Sequence, residues 1–196
     1  MPEDSQLSDS DGVLLVKTAR MAVTEFLSNG KRMKLESEGE KKFSFNSGVF
    51  VTLNNADGLR GCIGFPMPDK KLSHGIIDAA IAAATEDPRF SPVKTNELNY
   101  IVFEVTVLTP PVEITVIDPM EYLEKIKVGR DGLIIRNSFS SGLLLPQVPV
   151  EYGWNVEEFL QHTCEKAGLE KNVWKNEKVK IEKFEGIVYK EETNGS

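Results

Sequence analysis

From Ser10 to Ser28 the apolar residues Leu14, Leu15, Ala19, Ala22, Val23, Phe26 and Leu27 recur three and four apart, the spacing of one face of a helix. Asn29-Gly30 is a helix stop. Lys31 to Ser47 has no such period: its basic start runs straight into Glu36, Glu38 and Glu40, which reads as a solvated loop of mixed charge. Val49 to Leu53 reads as a strand, Asn54 to Gly58 as a turn, and Leu59 to Phe65 as the second arm of a hairpin. Strict alternation along that arm places Arg60, Cys62 and Gly64 on one face. Leu59, Gly61, Ile63 and Phe65 then share the other, the core side. A second helical stripe, Leu72, Ile76, Ile77, Ala80, Ile81 and Ala84, follows Asp69 as its expected cap, and Pro88 and Pro92 stiffen the loop beyond it.

Tyr100 to Leu108 is the strongest strand pattern, apolar on both faces except for Glu104, as in a central strand covered on both sides. Pro110-Pro111 interrupts it, and Val112 to Ile117 reads as an edge strand. Asp118-Pro119-Met120-Glu121 starts a short helix to about Ile126. Gly129 to Gly132 reads as a turn before the strand Leu133–Ile135, and Ser138 to Gly142 as another turn. Asn155 caps a helix over Val156–Ala167, stopped by Gly168. Val179 to Tyr189 reads as a terminal hairpin turning at Glu185-Gly186. Helices and strands mix without βαβ alternation, which predicts an α+β fold with a mixed, largely antiparallel sheet and flanking helices. Residues 1–9 are expected to be frayed and 191–196 to be a disordered tail, leaving 10–190 as the folded chain.

Composition narrows the function classes. The chain has 196 residues, 40% hydrophobic and 27% charged, with 30 acidic against 23 basic side chains and a net charge of −7. That balance argues against indiscriminate binding to nucleic acid or anionic membrane, which needs clustered Lys and Arg. No apolar run approaches the ~20 residues that span a bilayer. The acidic, polar start has no basic segment leading into an apolar core. The two cysteines, Cys62 and Cys164, are far apart and form no disulfide framework. A cytoplasmic protein with reduced thiols is the expectation. The oligomeric state is not legible.

Two residues carry candidate chemistry. Cys62 is a thiol with Arg60 two positions away on the same predicted face, and a neighbouring cation favours the nucleophilic thiolate. Gly61 and Gly64 would leave the backbone open to a ligand. The competing reading makes Cys62 a small buried apolar residue and the glycines sheet-packing residues. Glu104, a carboxylate in an apolar strand, would need a partner. If Arg60 supplied it, Arg60, Cys62 and Glu104 would form one cluster; the competing reading is a structural ion pair. Gln147, after the run Leu144-Leu145-Pro146, is a candidate to hydrogen-bond a substrate. His74 and His162 fit no metal-binding spacing, and no cofactor signature is present: Gly58, Gly61 and Gly64 match neither the dinucleotide nor the Walker pattern.

The chain resembles the AMME chromosomal region candidate gene 1 domain family. The resemblance rests on Leu59-Arg60-Gly61-Cys62-Ile63-Gly64, on Asp87-Pro88-Arg89-Phe90-Ser91-Pro92-Val93, on Glu97-Leu98 and on Glu104-Val105-Thr106-Val107-Leu108. It continues through Leu144-Leu145-Pro146-Gln147-Val148, Trp154 and Lys166-Ala167-Gly168-Leu169, so it covers nearly the whole chain. It implies two closely associated subdomains with the hexapeptide near a cleft between them, and no defined reaction. It also implies Memo-type and radical SAM proteins as partners in a modification pathway. The chain lacks a radical-SAM cysteine triplet, so its place there would be a companion enzyme or subunit. A non-catalytic adaptor module is the alternative, and a nucleic-acid-binding factor a third reading that the net charge disfavours.

Overall fold

The computed structural model describes residues 7–176 and 179–192. Among these, helices accompany seven strands with antiparallel pairing, which is an α+β fold. The chain divides into two compact units: one runs up to Leu108 and resumes at Ile187, and the other is Thr109–Gly186. Each has its own hydrophobic core.

In the first unit α1 (Asp9–Asn29) is fixed at both ends. Ser8 caps it in a reciprocal box with Asp11. Lys42 first, and then Ser8, hold the Asp11 carboxyl down at about 2. Gly30 takes the left-handed conformation (φ 71°) that ends the helix. The connection expected to be a loop contains a short helix, α2 (Ser37–Lys42), which buries none of its residues. With no apolar stripe it is invisible to periodicity. It has acids in its first turn and lysines in its last, the arrangement the helix dipole favours, and it leads into the fully buried Phe43.

Strand β1 (Val49–Asn55) lies between β2 (Gly58–Phe65) and β3 (Val102–Leu108), antiparallel to both. Val49, Val51, Leu53, Phe103, Val105 and Val107 are buried in one core with Leu15, Ala19 and Val23 of α1 and Leu72, Ile76, Ala80 and Ala83 of α3 (Leu72–Thr85). Helix α3 starts two residues later than the expected Asp69 cap would place it, with Lys71 in the cap position. The Leu72 and Ser73 N–H groups donate to the carbonyls of Phe45 and Phe43, so main-chain acceptors replace a capping side chain.

The second unit pairs β4 (Val112–Glu113) and β5 (Asp131–Arg136) with β7 (Lys180–Lys190), and β6 (Ser141–Leu144) with β5. Around them are α4 (Tyr122–Lys125), α5 (Gln147–Tyr152) and α6 (Val156–Lys166). Its core holds Leu133, Ile135, Phe159, Leu160, Trp174 and Ile181. The expected terminal hairpin is one strand, β7: Gly186 is not among the glycines of positive φ, as a two-residue hairpin turn demands. The expected frayed start lies mostly outside the described residues, as does the expected tail from 193 onward. Glu191, expected to be disordered, is held instead. Its carboxylate accepts from Arg20 Nη2 (2.6 Å) and from the Phe103 N–H (3.1 Å), while its own N–H donates to the Phe103 carbonyl.

Candidate functional site

The register of the first hairpin decides which side chains meet. Counting outward from its turn, Asn55 faces Gly58 and Asn54 faces Leu59, but Leu53 faces Gly61. Arg60 is therefore an extra residue, a bulge of the kind that re-aims a side chain. Beyond it Thr52 faces Cys62 and Phe50 faces Gly64. Thr52 also faces Glu104 across β3. Cys62, Thr52 and Glu104 thus form one row across three strands, on the face opposite the core made by Val51, Leu53 and Val105.

Within that row the Thr52 hydroxyl donates to Cys62 Sγ at 3.2 Å. Cys62 is half-buried. Glu104 is also half-buried, and its side chain makes no hydrogen bond or ion pair with any of the described residues. It is not the buried, compensated charge the strand pattern predicts, because its side chain lies on the face the helices leave uncovered.

Arg60 does not join the row. The bulge aims it at the loop after α3, where Nε and Nη2 grip the two oxygens of Glu97 (2.9 and 3.2 Å) and Nη1 donates to the Ser91 carbonyl (3.0 Å). That fork first of all, helped by the Lys94 N–H, holds the Glu97 carboxyl below its ordinary range. The Arg60–Glu104 pairing expected as one possibility is replaced by Arg60–Glu97. Leu59 moves off its expected core face as well and is 41% exposed.

At both glycines of the motif the main chain is closely approached by its neighbours. A Cβ on Gly61 would lie 2.2 Å from the Ala83 carbonyl oxygen of α3, and one on Gly64 2.3 Å from the Phe50 ring. Gln147 opens α5 in the second unit and is exposed there.

Two acids that contact Cys62 and Arg60 enter the sequence analysis only within the stretches that carry the family resemblance, with no site role assigned. Besides Glu97, Asp87 accepts the Cys62 N–H at 2.8 Å, and Arg89 binds both of its oxygens (3.0 and 2.8 Å). Its side chain is 3% exposed. Arg89 first, then the Cys62 N–H, keep its carboxyl far below the usual range despite burial. Pro88, between Asp87 and Arg89, and Pro92 signalled a stiff loop but not its target. Thr52 was findable only through the register, which the bulge shifts by one residue. Cys164 is fully buried in the second unit, and burial raises its thiol to about 11. Among the described residues no group of three or more His, Cys, Asp or Glu could hold a metal ion. No helix there is long and apolar enough to cross a membrane.

Similar proteins match this chain over nearly its whole length. A protein of Methanocaldococcus jannaschii, MJ0810, is 51% identical over 187 residues, covering 94% of this chain and 92% of its own. PYRAB00100 of Pyrococcus abyssi is 47% identical over 193 residues, covering 96% and 94%. The crystal structure of the uncharacterized protein PH0010 from Pyrococcus horikoshii superposes with a TM-score of 0.77 at 48% identity, over 95% of this chain and 94% of that one. The AMMECR1 family model matches residues 16–189. The chain belongs to the AMMECR1 family.

Proposed function

We propose that this chain is an enzyme, or a subunit of one, in a modification pathway, with the Cys62 thiol as nucleophile or covalent acceptor. The observation that carries the reading is the row Cys62–Thr52–Glu104, with the Thr52 hydroxyl 3.2 Å from the sulfur. A hydroxyl donating to sulfur favours the thiolate over the thiol. In the proposed step the thiol proton leaves to solvent and the thiolate forms a bond to an electrophilic carbon of the donor. The leaving group departs with the electron pair of the bond that breaks. Glu104, beyond Thr52, orients the donor from the same face. The partners proposed, from the family resemblance, are Memo-type and radical SAM proteins working in sequence with this chain, in the cytoplasm. The test is complementation of a deletion strain. Cys62→Ser and Cys62→Ala are expected to abolish function while leaving the protein folded, and full function of both overturns the reading.

The adaptor reading has its own support. Gly61 and Gly64 are explained by packing and Arg60 by its grip on Glu97, so the hexapeptide has a structural reason to exist without a reaction. It predicts the opposite complementation result: both Cys62 variants function, and substitutions on the exposed surface do not.

A further inference from the structure

Strand β2 is the outer edge of its sheet, and an edge strand leaves alternate main-chain groups without a neighbour. At Cys62 those groups turn away from β1, since its N–H donates to Asp87 and not across the hairpin. Where two facing residues do not exchange main-chain bonds, their α-carbons approach to ~4.5 Å and their side chains crowd. That narrow pairing brings Thr52 Oγ1 to the sulfur of Cys62. What keeps β2 in it is a pair of loop side chains acting in place of a missing strand. Asp87 Oδ2 accepts the Cys62 N–H at 2.8 Å, and Arg89 Nη2 donates to the Cys62 carbonyl at 3.4 Å. Arg89 also locks the carboxylate, through Nε to Oδ1 at 3.0 Å and Nη2 to Oδ2 at 2.8 Å. Two residues back along β2, Arg60 fastens the same segment farther on, at Ser91 and Glu97.

We infer that Asp87 and Arg89 are positioning residues for Cys62: they grip its main-chain N–H and C=O and thereby hold the thiol against the Thr52 hydroxyl. The inference rests on the reading of Cys62 as the reacting group, but it is tested without any reaction. The loop clamps the strand, the strand fixes the narrow pair, and the pair sets the reactivity of the sulfur. Electrostatics alone would act the other way at Asp87, since removing a negative charge near a thiol eases its ionisation.

The experiment is the rate of Cys62 alkylation by iodoacetamide in the full chain, followed across pH by mass spectrometry. Asp87→Asn is expected to slow labelling at neutral pH by about fivefold, the worth of one lost hydrogen bond, and to move the midpoint of the pH profile upward. Thr52→Val should do the same. The double variant should match Thr52→Val alone, because the clamp works through that contact. Arg89→Ala gives the same comparison from the other side of the clamp, with its urea midpoint measured alongside because it leaves the buried Asp87 carboxylate without its main partner. Faster labelling, an unmoved midpoint, or an effect of the same size in the Thr52→Val background overturns the inference. Complementation by Cys62→Ser, by contrast, bears on the enzyme reading and leaves these rates untouched.

Discussion

A thiol flanked by a hydroxyl on one strand and a carboxylate on the next is subject to two opposed influences. In the proposed step the Thr52 hydroxyl would assist negative charge on the reacting sulfur, while the Glu104 carboxylate, two strand spacings from Cys62, would oppose it. Two spacings are ~10 Å, and at that distance unit charges in a watery setting repel by about 0.4 kcal/mol. Glu104→Gln is therefore expected to speed alkylation of Cys62 about twofold. If Glu104 instead received the thiol proton directly, the same substitution would slow it. Stopped-flow labelling at fixed pH and moderate salt reads the sign. The measurement is clean because Cys164, fully buried with its thiol raised to about 11, should stay unlabelled until the protein unfolds.

At the scale of elements, β2 is shaped by what it must pass. Its Gly61 runs under the Ala83 carbonyl of α3, where a methyl group would sit 2.2 Å from main-chain oxygen. Gly61→Ala forces the helix or the strand to move and is expected to cost about 2 kcal/mol or more, measurable by urea unfolding. A change under 0.5 kcal/mol would mean that the packing is slack. The helix stripes of α1, α3 and α6 and the hairpin were legible, since each rests on local periodicity, caps or turn residues. Less legible was whatever depends on register. The same alternation that assigns Arg60 to the face of Cys62 fails at one inserted residue. The bulge turns Leu59 outward and sends Arg60 to Glu97, a partner 37 positions away. The unbroken strand β7 and the amphipathically silent α2 escaped for a related reason: tertiary neighbours decide them, not their own sequence pattern.

The two units differ in how the chain composes them. Thr109–Gly186 is one continuous stretch whose core, from Ile114 through Trp174 to Ile181, draws on no described residue outside it. Its entry and exit adjoin, since the Thr109 N–H donates to the Glu185 carbonyl at 2.8 Å. The other unit is discontinuous. Without the chain from Ile187 onward, Tyr189 leaves the slot that Gly12 opens for it in α1. Arg20 and the Phe103 N–H likewise lose the Glu191 carboxylate. The fragment Thr109–Gly186 is therefore expected to fold alone and unfold cooperatively, with the buried Trp174 giving blue-shifted emission that red-shifts in urea. A fragment ending at Leu108 is expected to stay unfolded or aggregate. Joining 187–192 to it through a short glycine linker, which the adjoining ends permit, should restore a cooperative transition. An independently folded 7–108 would mean that the Arg20–Glu191 anchor and the end of β7 are dispensable, and a Thr109–Gly186 fragment without a transition would mean that its core does not suffice.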